Sequence, residues 1–413
     1  MTLHTDNTAL LSHGLDADGV PPAWPPLKLA EIKRLLMRYP ETGEVIRLTW
    51  FSPRPLSSAC VVETTSGMLF VKRLLKAIRS AGDLLEEHRF IAHLALHMPV
   101  DGPAVSEVLA DMSGATAIAD GDWTYEVHRL AEGNDVYRDA FSWTPFLQPG
   151  HAYAAGRALA QMHQGAADYI APPRMATLLV SGFSIFSSSD PLAAMQHYID
   201  ARPGLATYVA QRDWRQDVER VLMPFYADLQ PLLKNLVPLW THNDWHASNL
   251  LWCQSDDQND GGEAKVATIL DFGLCDQTCA VYDLAIAIVT NIVEWLKLPQ
   301  LDADNQMHGD QLVHFDQLDL LLDGYDAVVP LSAFDIAAVT ALLPLAHVEF
   351  ALSELAYFYG VQSSAENAAV AYDTYLLGHA EWFNSDAGRR LLAYMRDRNT
   401  KSNNLKREQS RNR

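Results

Sequence analysis

The sequence predicts an α+β protein in two lobes, a smaller β-rich lobe ahead of a larger helical one, with a cleft between them. Three observations carry that reading. The β-branched and aromatic runs Val45–Trp50, Ala59–Thr64, Met68–Val71 and Trp123–Leu130 all precede residue 131, whereas helical spacing of apolar residues dominates from Ala152 onward. A further pair of strand-like runs, Asn249–Cys253 and Lys265–Leu270, flanks a polar loop among the helices, which is the pattern of a β-hairpin. Ala131-Glu132-Gly133 breaks the fourth strand and supplies a joint between lobes.

Residues 1–26 are polar and then proline-rich, through Pro21, Pro22, Pro25 and Pro26, and are expected as a loosely held arm. The β-rich lobe, residues 27–130, opens on a helix over Leu27–Tyr39. Its apolar positions Leu29, Ile32, Leu35, Leu36 and Tyr39 share one face, and Pro40 ends it. Thr65-Ser66-Gly67 turns the second strand into the third. Leu84–Leu96 is the second helix of the lobe, with Leu84, Leu85, Phe90, Ile91, Leu94 and Leu96 as its apolar set.

The helical lobe, residues 131–395, has helical spacing over Ala152–His163, Leu192–Ile199, Val218–Leu236, Val281–Leu296, Gln311–Tyr325, Ala333–Tyr359 and Ala365–Phe383. Pro344 marks a break in the sixth of these. His163, on an apolar face, is expected as a hydrogen-bonded core residue. The stretch 396–413 carries seven Lys/Arg against two Asp/Glu with no apolar period, and is expected as a disordered basic tail.

Of 413 residues, 49 % are hydrophobic and 20 % charged, the balance of a globular chain rather than a disordered one. The formal net charge of −20 argues against a nucleic-acid binder, which needs a basic face, and leaves room for a cationic substrate. Cys60, Cys253, Cys275 and Cys279 are too scattered for a disulfide framework and are expected as reduced thiols. No run approaches the ~18 uninterrupted apolar residues of a membrane helix, and the first residues lack a signal-peptide pattern. A soluble, cytoplasmic protein without a membrane partner is expected.

The chemistry concentrates between Thr241 and Leu274, which reads T-H-N-D-W-H-A-S-N-L-L-W-C, a polar loop, then K-V-A-T-I-L-D-F-G-L. Antiparallel pairing brings Asn249 and Asp271 to one end of the ribbon, with Asp244 in the loop just before it. An amide and a carboxylate there can share a hard cation such as Mg²⁺ while a second carboxylate faces the substrate. Lys72 closes the third strand in L-F-V-K. Glu87, rather than its neighbour Glu86, is placed on the next helix to hold that ammonium against an anionic ligand. His242, Asp244 and His246 also spell H-x-D-x-H, which suggests a hydrolytic metal cluster but leaves Asn249, Asp271 and Lys72 without roles.

The spacing H-x-D-x-x-x-x-N followed by a strand pair and D-F-G resembles the catalytic and metal loops of kinase-fold enzymes. The wording H-N-D-W-H-A-S-N-L-L, I-L-D-F-G-L and Y-D-L-A resembles the aminoglycoside phosphotransferase family, small-molecule kinases that include choline, homoserine and methylthioribose kinases. The likeness runs in order over about residues 40–385. It implies a two-lobed protein-kinase-like fold that uses ATP and Mg²⁺ to transfer the γ-phosphate to a small-molecule hydroxyl acceptor. By the same resemblance, Asp244 orients the acceptor hydroxyl and takes its proton, and Asn249 and Asp271 are the Mg²⁺ ligands. Lys72 contacts the α and β phosphates and is held by Glu87. The linker Arg129–Ala131 offers main-chain groups to adenine, His242 is structural, and Asp283 braces the loop before it.

The sequence departs from the wider kinase pattern. No G-x-G-x-x-G precedes Lys72; S-P-R-P-L-S-S-A stands there, so Ser57 or Ser58 hydroxyls and main-chain N–H groups are expected to cover the phosphates. No A-P-E follows D-F-G, and Cys275–Tyr282 is too short for an activation loop, which argues against a regulated protein kinase. Asn243 stands where the family commonly has Gly. A catalytically silent kinase-like binding protein is the alternative in which these residues do not react. The acceptor in this family is bound by the helical lobe. Acidic side chains facing the cleft would suit an amine-bearing acceptor such as an aminoglycoside, choline, homoserine or another amino alcohol, and Asp276, His347, Glu349 and Glu354 are its candidate contacts.

Overall fold

The computed structural model describes residues 23–54, 56–253, 264–300 and 312–411. Most of the expected N-terminal arm, the polar loop of the hairpin and the first residue of the expected helix at Gln311 lie outside the described residues. The β-rich lobe runs α1 (Leu29–Leu36), β1 (Val45–Phe51), β2 (Ser58–Thr64), β3 (Gly67–Leu75), α2 (Ala81–His97), β4 (Ala104–Val105), β5 (Ala117–Asp120) and β6 (Trp123–Arg129). Five of its strands form one antiparallel sheet in the order β1-β2-β3-β6-β5. Strand alternation sorts β3 between two faces. Leu69 and Val71 pack with Ile32, Leu36 and Tyr125 beneath α1, and Arg73 on that face reaches Glu31 of α1 at 2.8 Å. Lys72 therefore points to the opposite face, the one α2 covers. Helix α2 starts cleanly because Ser80 and Asp83 form a reciprocal capping box.

The helical lobe follows with α3 (Pro149–Ala166), α4 (Pro191–Asp200), α5 (Pro203–Val209), α6 (Trp214–Val221) and α7 (Met223–Leu229). The single helix expected over Val218–Leu236 is instead α6, α7 and a 3-10 turn over Gln230–Asn235, because Pro224 and Pro231 cannot continue a helix and can only begin one. Helix α5 is not among the helices expected from apolar spacing; Pro203 at its first position is the signal that marks it. After the strands described below come α8 (Ala280–Ile292), α9 (Phe315–Asp326), α10 (Ala333–Leu342), α11 (Val348–Gly360), α12 (Ala365–Ala369), α13 (His379–Trp382) and α14 (Asp386–Arg411). The break expected at Pro344 falls between α10 and α11. A π-helical stretch, Val370–Gly378, joins α12 to α13.

Helix α8 is buried on every side, which makes it the axis of this lobe. Helices α3 and α9 cross in contact through two glycines. A Cβ on Gly156 would lie 2.0 Å from the Leu321 carbonyl oxygen, and one on Gly324 would lie 2.0 Å from that of Tyr153. Over the stretch expected as a basic tail, α14 runs on to Arg411. Its basic residues find acidic partners on earlier elements, Arg396 on Asp228 and Arg398 on Asp319 and Asp323.

Two small sheets tie down the polar stretch at both ends. Strands β7 (Pro238–Thr241) and β10 (Asp276–Cys279) pair antiparallel, with Thr241 opposite Asp276. Between them β8 (Leu250–Trp252) and β9 (Val266–Ile269) form the expected hairpin, with Leu250 opposite Ile269, and β4 adds parallel to β9. The loops 242–249 and 270–275 are therefore each clamped between paired strands, and they stand side by side.

Candidate active site

The loop after β7 holds a backbone conformation that side chains must stabilise. Asn243 has φ 59° and Asp271 has φ 52°, both left-handed, a region that Asn and Asp tolerate better than other non-glycine residues. Asp283 of α8 is fully buried, and its two oxygens accept the N–H groups of His242 and Asn243, each at 2.9 Å. His163 of α3 completes that carboxylate at 3.0 Å and meets the Tyr325 hydroxyl at 2.8 Å, so it is the hydrogen-bonded core residue expected. The Asn243 amide joins Thr241, Thr278, Ser181 and Leu274. Asparagine thus supplies the φ that glycine would and stitches β7 to β10 as well.

His242 lies inside the loop with no exposed surface. Its Nε2 sits 2.9 Å from the Leu270 carbonyl and its Nδ1 accepts the Asp244 N–H at 3.2 Å, which fixes the tautomer and links the two loops. Both ring nitrogens are committed. His246 turns to Ser248 Oγ at 2.9 Å and stands 3.5 Å from Asp244. Among the described residues, H-x-D-x-H forms no metal cluster. The set of ligand atoms close enough to share an ion is His93, His97 and Asp168, remote from this loop in the sequence, and His93 already bonds the Gly165 carbonyl and Asp168.

Four side chains converge where the loops meet. Asn249 donates its amide N–H to Asp244 Oδ2 and to the Asp244 carbonyl, both at 3.0 Å, which leaves Asn249 Oδ1 as the amide's free acceptor. The Leu270 N–H donates to the Asn249 carbonyl at 2.9 Å and so places Asp271 beside it. Lys72 Nζ reaches Asp271 Oδ1 at 3.0 Å from the other lobe. Asp271 keeps 46 % of its side chain exposed, room for a ligand on its remaining oxygen. Burial in the cleft pushes its carboxyl up, but the Lys72 ammonium outweighs that and holds it below the usual range. Lys72 is likewise held charged: burial works against the ammonium, and Asp271, Glu126 and Glu87 more than offset it. An amide oxygen and a carboxylate in contact with a cationic group are the hard oxygen donors that Mg²⁺ takes.

The chain matches the model of the phosphotransferase enzyme family over residues 56–321, a span that holds all four of these side chains. The chain belongs to the phosphotransferase enzyme family. Among solved structures, the microcompartment-associated aminopropanol kinase is 17% identical, with a TM-score of 0.56 over 87% of this chain and 99% of that one, which shows a shared fold. An aminoglycoside phosphotransferase from Alicyclobacillus acidocaldarius is 15% identical, with a TM-score of 0.48 over 91% of this chain and 97% of that one. No curated protein sequence matches the chain.

Several residues of this phosphotransferase stand differently from the sequence expectation. Glu87 does not hold Lys72. Its Oε1 accepts Arg79 Nε at 3.0 Å and is also bonded by Arg174. The two guanidiniums continue to the loop that carries Asp271, donating to the Gly273 carbonyl at 2.9 and 2.8 Å. Lys72 instead lies 3.9 Å from Glu126 of β6, in the rung where those residues face each other. Ser58 is also corrected. It pairs with Arg73, on the α1 face of the sheet, and its hydroxyl bonds the Pro25 carbonyl at 3.0 Å and accepts from Arg73 at 3.3 Å. Ser57, one residue earlier, is buried. Arg54 of the same loop, which no sequence motif singles out, reaches Ser248 Oγ at 3.1 Å, next to Asn249. In the linker, the Arg129 N–H donates to the Glu107 carbonyl at 3.1 Å and is spent there, while half-buried Ala131 follows it.

The acceptor candidates separate by what they touch. Asp276 takes the N–H groups of Arg174 at 2.8 Å and Gln277 at 2.7 Å. Glu349 accepts from Ile185 N–H at 2.6 Å and Ser184 Oγ at 3.1 Å, and burial pushes its carboxyl up to about 7. Both carboxylates brace the segment before α4, because Gly182 lets that segment run directly over them. His347 is buried with Nε2 3.2 Å from the Leu376 carbonyl, and burial lowers it to about 4, so it is a neutral core residue. Glu354 of α11 is only half-buried. Burial, with the charge of Asp244, pushes its carboxyl up to about 8.

Proposed function

We propose that this phosphotransferase moves the γ-phosphate of ATP, with Mg²⁺, to a hydroxyl of a small amine-bearing molecule. The single observation that carries the reading is the convergence of Lys72 from one lobe with Asp271, Asn249 and Asp244 from the clamped loops of the other, joined by contacts of 3.0 Å. A phosphoryl transfer with a loose transition state needs positioning and charge neutralisation more than covalent chemistry, and this set offers both.

Lys72 and Arg54 would carry cationic charge toward the phosphates. Asn249 Oδ1 and Asp271 would hold Mg²⁺, which when bound neutralises charge developing on the phosphate oxygens. Asp244, with Oδ2 held by Asn249 and Oδ1 3.5 Å from His246, would orient the acceptor hydroxyl and take its proton as the new bond forms. Glu354 stands where it feels the charge of Asp244, and would receive the ammonium of the acceptor. The test is ADP release from Mg²⁺-ATP across a panel of amino alcohols, choline, homoserine and aminoglycosides, with Asp244→Ala as the control. A wild-type protein that neither binds ATP nor phosphorylates any amine-bearing alcohol would overturn the reading.

A further inference from the structure

In the arrangement the family resemblance implies, one carboxylate on the helix after β3 holds the phosphate-binding lysine. Here that carboxylate is engaged elsewhere. Glu87 Oε1 is shared by Arg79 and Arg174, whose side chains are 4 % and 1 % exposed. Moving Glu87 to Lys72 would leave two buried guanidiniums without their carboxylate in a place water does not reach, which is strongly unfavourable. Both arginines also hold the Gly273 carbonyl, so releasing Glu87 would loosen the loop that carries Asp271.

A different carboxylate is in position. Glu126 faces Lys72 across the β3–β6 ladder, with Oε1 3.9 Å from Nζ, and it is 4 % exposed. Backbone register sets this pairing, so it does not depend on where α2 sits. Glu126 Oε2 is occupied by His88 Nε2 at 2.8 Å and His128 Nε2 at 3.3 Å, which leaves Oε1 turned to the lysine. His88 is the residue after Glu87, so α2 still reaches the lysine pair, one position later and through a histidine. The other partner of Lys72, Asp271, is a proposed metal ligand. A cation on Asp271 would compete with Lys72 for it, and Glu126 is the partner that remains.

We propose that Glu126, not Glu87, is the positioning carboxylate of Lys72, holding its ammonium toward the nucleotide phosphates. The inference rests on the ATP-dependent reading above. It is tested on the full chain by a double-mutant cycle read by ATP affinity in calorimetry, alongside kcat and KM. Glu126→Gln keeps the shape and a hydrogen-bonding group for His88 but removes the charge. It is expected to weaken ATP binding roughly tenfold in the wild-type background, and by less than about twofold when Lys72 is already Met, since contacting residues couple and independent ones add. Glu87→Gln is expected to lower the melting temperature and to couple to Lys72→Met more weakly than Glu126→Gln does, since its charge reaches the lysine without a contact. A residue with a purely structural role would not show the first pattern. Should Glu126→Gln not fold, Glu126→Asp, which keeps the charge and draws it back from the lysine, enters the same cycle with the same expectation of coupling. Coupling of Lys72 to Glu87 with none to Glu126 overturns the proposal while leaving the kinase reading intact. Failure of the wild-type protein to bind ATP overturns both.

Discussion

Lys72 Nζ and Asp271 Oδ1 lie 3.0 Å apart, a contact that joins a strand of the β-rich lobe to the loop after β9. It sets a cationic group against the carboxylate that would take Mg²⁺, in the place where a nucleotide phosphate and its metal would both enter. Asp271→Ala should therefore make nucleotide binding indifferent to Mg²⁺. ATP affinity with Mg²⁺ and with EDTA, measured for wild type and variant, checks it; an undiminished Mg²⁺ effect in the variant would remove Asp271 from metal binding. Because Lys72 outweighs burial and holds this carboxyl below its ordinary 3.8, Asp271 stays ionised above that value and loses its charge only as pH falls through the lowered one. Asp271 should accordingly contribute no pH dependence to the Mg²⁺ effect of the wild type between pH 8 and about pH 5, so that any change there follows the protonation of the nucleotide phosphate.

Asp244→Asn leaves an oxygen to accept the Asn249 amide and removes the carboxylate proposed as the base. The expected result is a fall in kcat on the order of a hundredfold or more, with nucleotide affinity little changed. Steady-state kinetics beside calorimetric ATP binding separate the two. Turnover at the wild-type rate would rule out proton transfer to Asp244.

What the sequence revealed and what it hid follow from the range of the interactions. Asp244, Asn249 and Asp271 were legible because their geometry is local: paired strands with a short loop fix which residues share an end. The break at Pro344 was legible for the same reason. Glu126 was not, because its partnership with Lys72 needs the register of β6 on β3, and no turn joins those strands directly. A signal was present in W-T-Y-E-V-H-R, where Thr124, Glu126 and His128 alternate onto one face of a strand that is buried there as well. Arg79 and Arg174 sit in unremarkable local contexts, and only the folded chain brings them to one carboxylate. The same alternation, applied to β2, would have turned Ser58 away from the phosphates.

Asp283 holds two consecutive N–H groups of the loop after β7 together with His163. Asp283→Ala would strand both buried donors and release the left-handed turn at Asn243. A destabilisation on the order of 3 kcal/mol is expected, with a fall in kcat because Asp244 is the next residue along. Chemical denaturation and kinetics on the same preparation test this. Wild-type stability in the variant would show that the turn holds without its carboxylate.

Glu354 ties acceptor binding to pH. With its carboxyl pushed up to about 8 by burial and by Asp244, it is largely protonated at neutral pH and gains its charge as pH rises through that value. KM for an amine-bearing acceptor should therefore fall between about pH 6.5 and 8.5, a range over which an aliphatic ammonium keeps its proton. Glu354→Gln should flatten the profile and raise KM. A neutral acceptor preferred over its amine analogue, or an unchanged profile in the variant, would remove Glu354 from acceptor recognition.

Glu349 affects the stability of the fold instead. Its carboxyl rises from an ordinary 4.5 to about 7 because it is buried, despite the Ile185 N–H and Ser184 hydroxyl that bond it. The folded protein therefore holds this proton more tightly than the unfolded chain. Its contribution is most favourable below 4.5, declines between 4.5 and about 7 as the unfolded chain ionises first, and stays low above that range. The gap between the two values corresponds to on the order of 3 kcal/mol. Glu349→Gln keeps an oxygen to accept the Ile185 N–H and has no charge to bury. Its melting temperature should exceed that of the wild type at pH 8 and lose the advantage at pH 5. Scanning fluorimetry of both proteins across that interval decides the matter: parallel curves would mean that Glu349 ionises in the folded protein as freely as in the unfolded chain.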